Sequence, residues 1–140
     1  MPERESAPSS ARQAVFRIGD DETWVALTRV EAGSWQVAAD AGVFTADFQA
    51  WFSDDEALDF AERFLAMVDT PGRPWASLVV SEGRGNPLKI SLYPVGDYCA
   101  PYVFLTPNGH DDAWSMSMEL GPYPADELYL AAARLRDALD

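Results

Sequence analysis

The sequence predicts an α+β protein: a mainly antiparallel, curved sheet of about eight strands in two strand-then-helix halves, with two amphipathic helices packed on one side. Three observations carry this expectation. Short stretches alternate apolar and polar residues with the period of a strand. Two stretches, after Ser53 and after Pro124, switch to apolar residues three and four apart, which is the period of a helix. The turns between the strands are short, so neighbours pair antiparallel, and both helices must then cover an apolar sheet face.

The first twelve residues are polar and mixed in charge, without the apolar run of a signal peptide, and are expected to form a frayed tail ahead of a single domain over 13–140. Ala14 to Ile18 alternates and predicts a first strand, with Gly19-Asp20-Asp21 as a turn. Thr23 to Val30 predicts a second strand and Trp35 to Ala39 a third, separated by Ala32-Gly33-Ser34. In the fourth, Phe44, Ala46, Phe48, Ala50 and Phe52 share the face expected to meet the core. Thr45, Asp47, Gln49 and Trp51 share the wetter one.

Ser53-Asp54-Asp55-Glu56 has the spacing of a capping box, in which the serine oxygen accepts a first-turn amide and Glu56 accepts the serine's own N–H. The acids also suit the positive end of the helix dipole. Ala57, Phe60, Ala61, Phe64, Leu65 and Val68 then form an apolar stripe, and Thr70-Pro71-Gly72 stops the helix.

The second half repeats this plan. Strands are predicted over Trp75 to Ser81, from Leu88 to Tyr93, over Tyr98 to Leu105 and from Trp114 to Leu120. Glu82 to Pro87 and Thr106 to Gly109 supply turn chemistry. The last helix presents Leu128, Ala131, Ala132, Leu135, Ala138 and Leu139 on one face. The helices align at an offset of 71, with identities at Asp55/Asp126, Glu56/Glu127, Ala61/Ala132, Arg63/Arg134 and Asp69/Asp140. Two alanine-rich amphipathic helices in one acidic protein reach that likeness by convergence, which is preferred here to duplication.

Ten basic residues stand against 23 acidic ones, a net charge of −13, and the first 70 residues hold five basic against fourteen acidic. Such a surface repels phosphate backbones and anionic membranes, so nucleic-acid and membrane partners are not expected, whereas a basic protein would be steered toward it. No apolar run reaches the length of about 18 residues that a spanning helix needs. Cys99 is the lone cysteine, which excludes an intrachain disulfide and favours a cytoplasmic setting. Nine arginines to one lysine, among many alanines, suggest GC-rich bacterial coding.

Catalytic sets are hard to assemble. The only histidine, His110, follows a turn, and Cys99 has no electropositive surroundings in the sequence, so a nucleophile with its base is not expected. His110-Asp111-Asp112 and Asp54-Asp55-Glu56 lack the ligand spacing of calcium loops and zinc sites. Gly83-Arg84-Gly85 has no helix behind it to cradle phosphate. No cofactor and no enzymatic activity are expected. Outward aromatics are the better signal: Trp51 beside Asp47, Gln49, Asp54 and Asp55, and Tyr93 beside Lys89 and Ser91, are suited to anchor a protein interface.

Trp35 in an early strand, Phe48-Gln49-Ala50-Trp51-Phe52 leading into a capped helix, and Trp114-Ser115-Met116 before a C-terminal helix resemble a group of small, functionally uncharacterised bacterial proteins. That group includes the WapI-type immunity proteins of contact-dependent toxin systems. The likeness covers roughly residues 14 to 139 and consists of rhythm and a few aromatics, with no catalytic residue to carry over. It implies a two-layer α+β fold and a protein-binding role such as neutralising a toxin. The leading expectation is therefore a non-enzymatic protein-binding module, of immunity type, for a cationic toxin. The alternative is a small-ligand or metal-binding protein using the curved sheet and the 106–112 loop. A carboxylate-pair enzyme ranks below both, and a homodimer through sheet edges or helix faces is compatible with all three.

Overall fold

The computed structural model describes residues 13–69, 76–81, 86–107 and 115–140. Four expectations fall wholly or largely outside these residues: the frayed tail, the Thr70-Pro71-Gly72 stop, the Glu82 to Pro87 turn (of which Asn86 and Pro87 are described) and the segment from Asn108 to Trp114.

Within the described residues the chain runs β1 (Val15–Gly19), β2 (Trp24–Glu31), β3 (Ser34–Asp40), β4 (Thr45–Ala50) and α1 (Asp54–Val68). It continues through β5 (Ala76–Val79), β6 (Leu88–Val95), β7 (Tyr98–Leu105), β8 (Met116–Glu119), β9 (Tyr123–Pro124) and α2 (Ala125–Leu139). The fold is α+β, with every strand pair antiparallel and the strands divided between two sheets. One sheet has the order β1-β2-β3-β4. The other has β5-β6-β7-β8, with β9 also paired to β7. The two-residue strand β9 is additional to the predicted set. It forms because the chain, after Gly121-Pro122, lays Tyr123 and Pro124 beside Cys99 and Tyr98 before turning into α2.

Alternation decides what each strand buries. Phe16 and Ile18 of β1, Val25 and Leu27 of β2, and Trp35, Val37 and Ala39 of β3 all point inward. Leu88, Ile90 and Leu92 of β6, Val103 and Leu105 of β7, and Met118 of β8 do the same in the second sheet. These residues join Ala57, Phe60, Ala61, Phe64 and Leu65 of α1, and Leu128, Ala131, Ala132 and Leu135 of α2, in one hydrophobic core. Phe16 meets Phe60 and Phe64 edge-on, with ring centroids 5.4 and 5.3 Å apart, and Trp35 stacks on Phe52 at 4.9 Å. Within the described residues the buried Trp35 Nε1 has no hydrogen-bond partner.

One predicted core residue is misplaced. Phe44 precedes β4 in the turn that joins it to β3, where the Ala41 N–H donates to the Phe44 carbonyl, and it is 69% exposed. The inward alternation starts one step later, and Ala50 and Phe52 are buried as expected.

The capping box is present in full. The Glu56 N–H donates to Ser53 Oγ at 3.0 Å, and the Ser53 N–H donates to Glu56 Oε1 at 2.8 Å. Glu56 also ties its helix to the second sheet by accepting the Ser81 hydroxyl at 2.7 Å, and the Arg63 guanidinium donates to the Val79 carbonyl at 2.9 Å. Apart from β9, which runs directly into α2, the most extensive backbone approaches of the helices to the sheets are α1 to β5 and α2 to β1. Tyr123 reaches back to the first half by donating to Asp20 Oδ2 at 3.1 Å.

Candidate functional site

The expected interface residues divide between the two sheets. Asp47 and Gln49 lie on the outer face of β4, and Trp51, just past its end, is 67% exposed. Most of the polar groups around Trp51 are already engaged. Gln36 donates to Asp47, Gln49 donates to Ser34 Oγ at 2.7 Å, and Arg29 makes two 2.9 Å bonds to the carboxylate of Asp54. Asp55 is exposed in the first turn of α1. Donation to the Asp54 carboxylate raises the Arg29 guanidinium above its ordinary value.

Tyr93 lies on the other sheet, and its outer face is where the aromatics gather. The register places Ser77, Ser91, Tyr102 and Glu119 in one cross-strand row, and Lys89, Phe104 and Ser117 in the adjacent row. Tyr93 pairs with Ala100, and Val95 with Tyr98, toward the β6–β7 turn. Tyr93, Val95, Tyr98, Tyr102 and Phe104 are all substantially exposed, from 39% to 56%. Tyr102 and Phe104 lie 5.8 Å apart, and Lys89 Nζ stands 5.2 Å above the Phe104 ring. The hydroxyls of Ser77 and Ser91 bond to each other at 2.8 Å. Between these groups is a shallow pocket of about 210 Å³, lined by Ser91, Tyr93, Ala100, Tyr102 and Glu119. Alanine at position 100 leaves the space that a larger side chain there would fill.

Tyr98, Tyr102 and Phe104 were not singled out from the sequence. Along β7 both faces are apolar, Cys99, Pro101, Val103 and Leu105 on one side and Tyr98, Ala100, Tyr102 and Phe104 on the other. Alternation within the strand therefore does not say which face is wet. The partner strands do, because Lys89, Ser91, Ser117 and Glu119 all share the tyrosine side.

Other chemistries gain little from the arrangement. Burial pushes the Cys99 thiol up from its ordinary value, against a smaller effect of a hydrogen bond with the Tyr93 backbone, which disfavours the reactive thiolate. Among the described residues, no three His, Cys, Asp or Glu side chains gather as a metal site requires; His110, Asp111 and Asp112 lie outside them. No helix among the described residues is long and apolar enough to cross a membrane. Comparison with known proteins found no matching family model, no matching curated protein and no matching solved structure.

Proposed function

We infer that the chain is a non-enzymatic protein-binding module that docks a basic protein on the outer face of β6, β7 and β8, as an immunity-type protein would occlude a cationic toxin. The observation that carries this is the contiguous aromatic surface of Tyr93, Tyr98, Tyr102 and Phe104, which the fold exposes while the same strands' other faces fill the core. Exposed apolar surface of this kind marks interaction sites, and tyrosine supplies large, rigid contact area with a polar tip. The net charge of −13 adds long-range steering of a cationic partner and disfavours nucleic acid.

A bacterial cytoplasm is the setting this role takes, supported by the single cysteine and the arginine-biased composition. A small-ligand role is the weaker alternative, since drug-sized ligands occupy pockets of about 300–1,000 Å³ and this one is about 210 Å³.

The test is to express the reading frames that adjoin this chain's gene and titrate any basic product against the chain, by calorimetry and stopped flow; a neighbourhood with no basic product counts against the proposal. Tight binding is expected, with an association rate that falls steeply as salt rises. Tyr102→Ala and Tyr98→Ala should each weaken it by about tenfold or more. Absence of binding at low salt, or wild-type affinity in both variants, would remove the basis of the proposal. Light scattering on the same samples separates partner binding from self-association through this sheet.

A further inference from the structure

We propose that the pocket between Tyr93 and Tyr102 seats one arginine side chain of the basic partner, with Glu119 as its counter-ion; this rests on the docking role inferred above. Because Tyr93 pairs with Ala100, Tyr93 and Tyr102 are diagonal neighbours across β6 and β7. Diagonal positions stand roughly 7–8 Å apart, about twice the 3.5–4.0 Å contact distance of stacked atoms. With Ala100 between them, the pocket of about 210 Å³ that these two positions flank is roomy enough for a planar side-chain head group.

Charge selects a cation for the place. The faces of tyrosine rings carry the negative part of the aromatic quadrupole and attract cations. Glu119 closes the row beside Tyr102 and forms no ion pair among the described residues. The adjacent row already shows the pairing in miniature, with Lys89 held over Phe104 rather than at Glu119. Shape then favours guanidinium over ammonium. A guanidinium is flat enough to stack on a ring, and its fork of N–H donors matches a carboxylate in two bonds. The hydroxyl of Ser91, already paired with Ser77, offers a further acceptor at the pocket floor.

The experiment uses the full chain with ring-labelled tyrosine and a capped tripeptide, acetyl-Gly-Arg-Gly-amide, followed by NMR. The citrulline and lysine tripeptides are the controls. Saturable shifts of the Tyr93 and Tyr102 resonances are expected with the arginine peptide and none with citrulline, which keeps the shape and removes the charge. The lysine peptide should bind several-fold more weakly. Glu119→Gln, an exposed strand position that keeps the fold, should weaken the arginine peptide at least fivefold, and Ala100→Leu should abolish its effect by filling the pocket. Equal shifts with citrulline, no shift with arginine, or undiminished binding in Glu119→Gln would overturn the assignment. The titration needs no partner protein, so the two proposals fail separately. A silent arginine peptide beside a tightly bound basic partner removes the pocket alone. A Glu119-dependent peptide shift with no protein partner removes the docking role and leaves the pocket.

Discussion

Glu56 closes the capping box and also ties α1 to Ser81, just past β5, and its environment turns that geometry into a pH dependence. Hydrogen bonds from the Ser53 N–H and the Ser81 hydroxyl hold its carboxyl below the ordinary value of 4.5. A carboxylate whose folded pKa is depressed contributes stability above its unfolded pKa, and that contribution is lost as pH falls through the folded value. The acid limb of the stability curve should therefore contain a Glu56 component below about pH 5. Asp20, held down by the N–H groups of Thr23 and Glu22, has the same sign. In Glu56→Gln, urea midpoints should lie below wild type at neutral pH, and the gap should close as pH falls toward about 3. A gap that stays constant across that range would mean the carboxylate's charge is not what matters. Ser53→Ala removes the other half of the box and should cost about 1 kcal/mol at neutral pH.

At the scale of the elements, two phenylalanines show what a strand pattern can and cannot specify. Phe16 is fully buried and touches two rings of α1, whereas Phe44 lies in a turn at 69% exposure. Phe16→Ala should cost about 3–5 kcal/mol and Phe44→Ala less than about 0.5 kcal/mol, measured as urea midpoints with unchanged slopes. Comparable losses would put Phe44 in the core after all. Helices were the most legible elements, because capping residues and a stripe at three and four are local signals; α1 starts where Ser53 and Glu56 place it. Strand faces were legible wherever one side was polar, as in β4 with Asp47 and Gln49. They were not legible in β7, whose two apolar faces are told apart only by pairing with β6 and β8. The candidate site was missed in part for the same reason. Tyr93 stood out beside Lys89 and Ser91, but Ala100, Tyr102 and Glu119 join it through register, which is a long-range property.

For the molecule as a whole, the two halves repeat a layout and depend on each other. Shifting α1 by the offset of 71 reproduces the span of α2, and its buried Ala57, Phe60, Ala61 and Phe64 map onto the buried Leu128, Ala131, Ala132 and Leu135. Each helix approaches the first strand of the opposite half, α1 beside β5 and α2 beside β1, and the helices pack on each other between them. Each sheet therefore draws part of its cover from the other half's helix, although Phe16 of β1 also meets Phe60 and Phe64 of α1 in its own half. Polar ties cross the same boundary, from Glu56 to Ser81, Arg63 to Val79 and Tyr123 to Asp20. A unit of about 60 residues buries only about 60% of the surface of its unfolded chain even when complete, and here each would lack its neighbour's helix as well. The first half also concentrates negative charge, fourteen acidic against five basic residues, which opposes its collapse alone. The intact chain should accordingly unfold in one transition, with tryptophan fluorescence and far-ultraviolet dichroism giving coincident urea curves. Separate fragments 13–70 and 71–140 should lack near-ultraviolet dichroism and a cooperative transition, and mixing them should restore both. A fragment 13–70 that melts cooperatively by itself would show that the first sheet closes its own core, and the reciprocal dependence would then be wrong.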